Sequence, residues 1–203
     1  MISIVIIAGA VAVLAVAHDG SGQEVTSSTS STAAPAATPA SADLPAAPWR
    51  AAAVPRSAVP PAYVTAWDRA RNHTSCALLF PLDGGPAMAG AKATEEKTPN
   101  DNGWDIFLTN TGASIEVLGL FDKSTQVAKT PDQPASTRTW ADGSVARYSA
   151  DVGNAAPGTF DPSTSPFEGV LTLPDQACAY RIYDTLGKDH LEFIFDRLRL
   201  MAP

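Results

Sequence analysis

The stretch Trp104–Phe121, WDIFLTNTGASIEVLGLF, decides the fold class. Apolar side chains alternate with polar ones in each half, at Trp104, Ile106 and Leu108 and then at Ile115 and Val117. A period of two is typical of a strand that buries one face. Between the halves, Asn110-Thr111-Gly112-Ala113 is a plausible hairpin turn with glycine at a positive φ. We therefore predict two antiparallel strands joined by a tight turn.

Similar patterns recur on both sides of this hairpin. Apolar or alternating runs predict strands at 76–82, 136–140, 144–150, 168–173 and 178–183. Asp142-Gly143 suits a type I′ turn between the second and third of these runs. Helical spacing of apolar residues predicts a short helix at 63–73 and an amphipathic helix at 189–200. The expected fold is α+β, a mostly antiparallel sheet with a short N-terminal helix and a C-terminal amphipathic helix packed on it.

The first 17 of the 203 residues read MISIVIIAGAVAVLAVA and carry no charged side chain. Ala15-Val16-Ala17 supplies the small-x-small pattern of a signal-peptidase site, which predicts a cleaved signal peptide. The alternative is an uncleaved anchor inserted in the membrane. No Lys or Arg precedes the apolar run, which departs from both patterns. In either case the rest of the chain is expected outside the cytoplasm, secreted, in the cell envelope or tethered to the membrane.

Residues 18–62 are rich in Ser, Thr, Ala and Pro and contain few large apolar side chains. Such a composition favours a disordered spacer, because it buries too little surface to offset its conformational entropy. Trp49 is interpreted as a solvated linker aromatic, with docking on the domain as the alternative. A single extracytoplasmic domain is then expected over 63–203, within the usual size of one folding unit.

Cys76 and Cys178 are the two cysteines of the chain. In an exported protein an even pair is most simply a disulfide, which here would join the first predicted strand to the last. Two buried thiols or a reactive cysteine are the alternatives, although no C-x-x-C motif occurs.

The net charge of −7 argues against nucleic acid as a partner, because the lysines and arginines form no cluster that would displace counterions from phosphates. An anionic membrane surface is disfavoured as the domain's partner for the same reason. The acidity supports solubility. We predict no cofactor and no metal site.

His73 and His190 are the histidines of the predicted domain, so a nucleophile activated by histidine would have to use one of them. No G-x-S-x-G, H-E-x-x-H or S-x-x-K motif surrounds either histidine, and no catalytic residue is assigned. Paired-carboxylate chemistry has candidates, among which the strand residues Glu116 and Glu168 form the most interesting pair: Asp83, Asp105, Glu116, Glu168, Asp184 and Glu192.

Two further patterns bear on surface recognition. Strand aromatics can form either core or a binding platform, and the candidates are Trp104, Trp140, Tyr148, Tyr180 and Tyr183. Asn72-His73-Thr74 matches a glycosylation acceptor for a eukaryotic host. The sequence resembles no known family in these patterns. The expected function is a non-enzymatic domain that binds an envelope component or another protein. The alternative is a small secreted hydrolase that uses His73 or His190 with an acidic partner.

Overall fold

The structure is a computed structural model that describes residues 43–96, 103–120, 136–151, 161 and 165–203. The predicted leader, 1–17, and the predicted linker up to residue 42 lie outside these residues. Within the described ranges, no helix combines the length and the apolar character that crossing a bilayer requires. The predicted fold class is confirmed, because the molecule is α+β with a large antiparallel sheet and a C-terminal helix.

The nine strands of the described residues form two antiparallel sheets. The strands are β1 Leu79–Pro81, β2 Lys92–Glu95, β3 Gly103–Thr109, β4 Ser114–Leu120, β5 Ser136–Thr139, β6 Val145–Ala150, β7 Phe167–Thr172, β8 Ala179–Asp184 and β9 Leu198–Leu200. The helices are α1 Pro61–Arg69 and α2 Lys188–Arg197. The main sheet has the order β2-β3-β4-β8-β7-β6-β5, and all its pairings are antiparallel. Strands β1 and β9 form a separate antiparallel pair.

The hairpin that decides the fold is present as β3 and β4, paired from Gly103 opposite Leu120 to Thr109 opposite Ser114. Its turn is closed by Asn110, whose side-chain oxygen accepts hydrogen bonds from the backbone N–H groups of Gly112 and Ala113 at 3.2 and 3.0 Å. Gly112 does not have a positive φ, so that part of the prediction is wrong. The side chain of Asn110 mimics a backbone turn and so stabilises the loop, the role that was predicted for a glycine with a positive φ.

The β5–β6 turn also differs from the predicted type I′ geometry. The N–H of Gly143 donates to the carbonyl of Trp140 at 2.9 Å, so Ala141 and Asp142 occupy the central positions. Gly143 follows them with a φ of 83°. A three-residue loop of this kind needs a left-handed residue in its last position, and glycine adopts that conformation without steric cost.

One face of the main sheet is covered by both helices and carries the core. Register places Trp104, Gly119, Tyr180 and Leu171 in one row across four strands on this face. Helix α2 adds Leu191, Ile194 and Phe195, all fully buried. The ring of Phe195 lies edge-on to Trp140 and Tyr148, with centroids 5.8 and 5.4 Å away. Perpendicular ring contacts of this kind add to the burial energy of the aromatic core.

Both predicted helices end earlier than the sequence indicates. Helix α1 ends at Arg69 instead of residue 73, and α2 ends at Arg197 instead of residue 200. The last three residues of the second prediction instead form β9, which pairs with β1. Strand β2 was not predicted, because Lys92–Glu95 has polar residues at three of its four positions and lies at the sheet edge.

Residues 43–60, here called the entry segment, are packed on the domain and are not a disordered linker. Trp49 is only 2% exposed, and its ring lies edge-on to Trp140 with centroids 4.7 Å apart. Val54 forms a parallel bridge with Met201, next to β9. The folded unit therefore begins before Tyr63, and the interpretation of Trp49 as a solvated aromatic is wrong. Burial of one large aromatic ring supplies the driving force that the surrounding composition lacks.

Candidate functional site

The predicted disulfide between Cys76 and Cys178 is present and completely buried, with Cα atoms 5.6 Å apart. It joins the chain just before β1 to the chain just before β8. Asn72 lies beside it, with its side-chain N–H donating to the carbonyl of Gly119 at 3.0 Å. The disulfide holds the loop after α1 against the start of β8, and the Asn72 hydrogen bond holds the same loop against β4. It is compatible with an extracytoplasmic protein.

His190 is held by both of its ring nitrogens. Nδ1 lies 2.6 Å from a carboxyl oxygen of Asp184, and Nε2 donates to the carbonyl of Gly84 at 3.0 Å. Asp184 is fully buried, and desolvation raises the pKa of its carboxyl. Because Gly84 can only accept, the His190–Asp184 pair holds a single proton between Nδ1 and the carboxyl oxygen. These contacts hold α2 against the turn after β1, at Gly84, and leave neither ring nitrogen free for a nucleophile.

His73 lies in a different environment, at the edge of a groove. Its Nδ1 donates to the carbonyl of Ala70 at 2.7 Å, so in the neutral ring Nε2 is the nitrogen able to accept a hydrogen bond. The imidazole packs edge-on against Trp67, with centroids 5.5 Å apart. The neighbouring Ser75 hydroxyl donates to the carbonyl of Asn72 at 3.2 Å. The described residues place no carboxylate in hydrogen-bond contact with His73.

The groove has a volume of about 610 Å³. Its apolar wall comprises Trp49, Trp67, Leu78, Leu200 and Met201, and the exposed Ala53 lies at its side. Its polar rim comprises His73, Thr74, Ser75, Asp175 and Gln176. A concave apolar lining with a few polar groups at one side is the usual composition of a ligand pocket. For brevity we call this the Trp67 groove.

The Trp67 groove is held open by polar contacts behind its wall. The indole N–H of Trp67 donates to the carbonyl of Cys76 at 2.7 Å, and that of Trp49 donates to Asp142 at 3.1 Å. Arg50 makes two hydrogen bonds to the carboxylate of Asp175, at 2.6 and 2.7 Å. The hydrogen bonds to Arg50 lower the pKa of the Asp175 carboxyl. These contacts fix the two tryptophans and the entry segment before any ligand binds.

The second face of the main sheet, opposite the core, carries several charged side chains. The register puts Glu116, Tyr183 and Glu168 in one row and Asp105, Leu118 and Arg181 in the next. Arg181 donates to Glu168 at 2.7 Å, and its guanidinium also lies in the field of Glu116. We call this the charged face. It brings together three of the six candidate carboxylates, including the favoured pair Glu116 and Glu168.

Asp105 is the most perturbed group of the charged face. Asp105 is only 6% exposed, and its carboxyl is hydrogen-bonded to the carboxyls of Glu116 and Glu96. Burial, followed by the nearby charges of Glu116 and Glu96, raises the pKa of Asp105 to about 8. Burial also raises the pKa of Glu116. At neutral pH Asp105 is therefore mostly protonated, and it faces two glutamates.

The other three candidate carboxylates lie elsewhere. Asp83 is exposed and accepts a hydrogen bond from the N–H of Gly85 at 2.9 Å. Asp184 is engaged by His190, and Glu192 accepts a hydrogen bond from the hydroxyl of Tyr148 at 2.6 Å. Within the described ranges, no group of three or more His, Cys, Asp and Glu side chains is arranged to hold a metal ion. These three positions have structural roles.

The strand aromatics do not form a platform. Trp104, Trp140, Tyr148 and Tyr180 are all at most 4% exposed and belong to the core face, while Tyr183 alone is partly exposed. The aromatic side chains that a ligand could contact are instead Trp49 and Trp67, which line the Trp67 groove. Sequence reasoning missed this groove because its wall joins the entry segment, α1 with the loop after it, and the end of β9. The one available signal was Trp49, a large aromatic in an otherwise small-residue segment.

No family model, curated protein or solved structure matches this chain. The candidate sites therefore rest on their geometry.

Proposed function

We propose that this chain is a non-enzymatic binding domain that works outside the cytoplasm and uses the Trp67 groove to bind an apolar part of an envelope component or of another protein. The observation that carries the proposal is the groove itself, a concavity of about 610 Å³ with two tryptophans in its wall. The buried disulfide supports the location.

The lining of the groove favours binding over catalysis. Trp67, Leu200 and Met201 offer flat and flexible apolar contacts, which suit a ring or a branched apolar group. His73 and Gln176 at the rim can orient a polar end of the ligand. Tryptophan side chains are enriched among the residues that dominate binding energy at interfaces.

The experiment fills the groove without removing any part of the core. Ala53 is exposed and lines the groove, so Ala53→Arg would place a long side chain at its entrance. Ala52→Arg is the matched control, because Ala52 is also exposed and is not one of the residues that line the groove. The full chain and both variants would be used to capture partners from envelope fractions.

We expect the wild type and Ala52→Arg to retain the same envelope component. The affinity of Ala53→Arg for that component should be at least about tenfold lower, which corresponds to roughly 1.4 kcal/mol of binding free energy. Equal retention by all three proteins would refute the groove as the binding site.

The alternative, a small secreted hydrolase, is favoured by the short His190–Asp184 contact of 2.6 Å. In this alternative Nε2 of His190 would have to leave the carbonyl of Gly84 to accept a proton from a nucleophile. His73 would act instead through Nε2 with a substrate in the groove. Hydrolysis of chromogenic esters that is lost in His73→Gln or His190→Gln, with folding retained, would favour the hydrolase over the binding domain.

A further inference from the structure

Strand β2 is an edge of the main sheet, and no other described strand pairs with its outer side. On its inner side it pairs with β3, and the N–H of Glu96 continues this pairing by donating to the carbonyl of Asp105 at 3.4 Å. In an antiparallel pair the backbone groups of alternate residues point toward the partner strand and away from it. The N–H and C=O groups of Ala93 and Glu95 therefore point away from β3. Such an open edge is a template for pairing with a further strand.

The side chains along this edge have an order of charges that suits pairing of β2 with itself. Lys92, Thr94 and Glu96 are exposed and lie on the charged face of the sheet, at every second position. Along the chain the order is positive, neutral, negative, and in an antiparallel neighbour it runs in reverse. A concavity of about 510 Å³ opens beside Lys92 and Thr94, which help to line it. The described residues therefore leave these side chains accessible.

The pleat and the charges together select one register for two antiparallel copies of β2. Facing residues must point to the same face of the sheet, so shifts of a single residue are excluded. When Thr94 faces Thr94 of a second copy, Lys92 faces Glu96, and the outward backbone groups of Ala93 and Glu95 meet. The neighbouring allowed registers place Glu95 opposite Glu95 or Lys92 opposite Thr94. Like charges in directly opposite positions destabilise a strand pair, whereas opposite charges stabilise it.

We propose that β2 is the interface of a homodimer, in which the main sheets of two copies join edge to edge through antiparallel β2 strands. Lys92 of each copy pairs with Glu96 of the other. On the opposite face of the sheet Ala93 faces Glu95, which Arg69 of its own chain holds at 3.3 Å, so no like charges meet. No residue of β2 lines the Trp67 groove, so dimerisation is independent of the function proposed for that groove.

The dimer is expected to be weak and reversible, since β2 is only four residues long. A contact between two such strands lies at the small end of specific interfaces. Each cross-strand pair contributes little, but every pair occurs twice because the two-fold axis repeats it. Association that depends on protein concentration is therefore the property to measure.

The test measures the monomer–dimer equilibrium of the full chain by sedimentation equilibrium over a series of loading concentrations. Lys92→Glu places glutamate opposite glutamate in the proposed register and should weaken dimerisation at least about tenfold. Glu96→Lys places lysine opposite lysine and should weaken it to a similar extent. The double variant Lys92→Glu/Glu96→Lys restores opposite charges in the same register and should dimerise like the wild type.

Two further variants separate the edge from general charge effects. Arg147→Glu is the matched control for Lys92→Glu, because Arg147 is an exposed cation on the same face of the sheet, on β6. It changes the net charge equally and should leave dimerisation unchanged. Ala93→Pro removes an N–H that points outward, so it spares the hydrogen bonds to β3 and should abolish the dimer. Amide spectra establish that each variant is folded.

Amide hydrogen exchange locates the interface in the wild type without any substitution. The outward N–H groups of Ala93 and Glu95 should exchange more slowly as the protein concentration rises. Those of Thr94 and Glu96 already face β3, so their exchange should change little and serves as the internal control.

Three outcomes would overturn the proposal: a monomer at every concentration, a double variant that dimerises no better than the single variants, or exchange at Ala93 and Glu95 that does not depend on concentration.

Discussion

At the scale of single residues, Asp105 shows how neighbours set the chemistry of a side chain. An aspartate has an ordinary pKa of 3.8, whereas burial and the charges of Glu116 and Glu96 raise that of Asp105 to about 8. The folded protein therefore keeps a proton that the unfolded chain releases. Burial also raises the pKa of Asp184, which acts in the same direction on stability.

This difference predicts a pH dependence of stability. The contribution of Asp105 is fully present below about pH 4 and is lost as the pH rises to about 8, because the folded state binds more protons than the unfolded state in that window. Each pH unit in the window can cost up to about 1.4 kcal/mol. Urea denaturation of wild type and Asp105→Asn between pH 4 and pH 8 should give a shallower decline for the variant.

Asp83→Asn is the control for this measurement, since Asp83 is an exposed carboxylate. Its unfolding free energy should follow the wild-type curve. Parallel curves for wild type and Asp105→Asn would contradict the assigned proton.

At the scale of elements, the entry segment is the part whose structure differs most from the structure that its composition predicts. Two residues attach it to the domain. Trp49 packs on Trp140 and donates a hydrogen bond to Asp142. Arg50 donates hydrogen bonds to Asp142 and Asp175. The Arg50 pairs lie near the surface, where ion pairs contribute at most about 1 kcal/mol. The aromatic contact therefore dominates the energetics of attachment.

Trp49→Ala should destabilise the protein by about 3–5 kcal/mol, the usual cost of removing a large buried aromatic ring. Trp49→Phe should recover most of that loss, because the ring remains while the hydrogen bond to Asp142 is removed. Thermal and urea unfolding measure both effects. If Trp49→Ala unfolds like the wild type, the entry segment is not part of the cooperative unit.

At the scale of the whole molecule, the disulfide joins residues separated by 102 positions. Closing so long a loop in the unfolded chain is worth about 4–5 kcal/mol in the chain-entropy model. The Cys76→Ser/Cys178→Ser double variant should lose roughly that amount of unfolding free energy. Mass spectrometry of the denatured, non-reduced protein should show no alkylation by iodoacetamide, and two alkylated thiols would contradict the bond.

The antiparallel sheet and its C-terminal helix were predictable, because alternation over β3 and β4 and the apolar stripe of α2 are local signals. Strand β9 was not, because Leu198–Leu200 continues the helical pattern and becomes a strand only through pairing with β1. The carboxyl pair of Asp105 and Glu116 was also hidden. Both residues were visible as candidates, but their contact depends on the cross-strand register, which sequence spacing does not contain.

The Trp67 groove was the feature least predictable from the sequence, because its wall is assembled from three distant parts of the chain. No local period marks such a surface. The packing of Trp49 was missed for a related reason, since a single aromatic among small residues indicates nothing about the surface that receives it.

The burial of Asn72 bears on the choice of host in which the protein is produced. Its side chain is completely buried and donates to Gly119, yet Asn72-His73-Thr74 is an acceptor sequence for an oligosaccharide. The folded protein has no room for a sugar at this position, so attachment would have to occur on the growing chain. In a chain that carries an oligosaccharide on Asn72, the loop after α1 could not pack against the sheet as it does in the native structure. A eukaryotic secretory host is therefore expected to yield a smaller native fraction than a bacterial host, and Thr74→Ala, which removes the acceptor sequence, should abolish that difference.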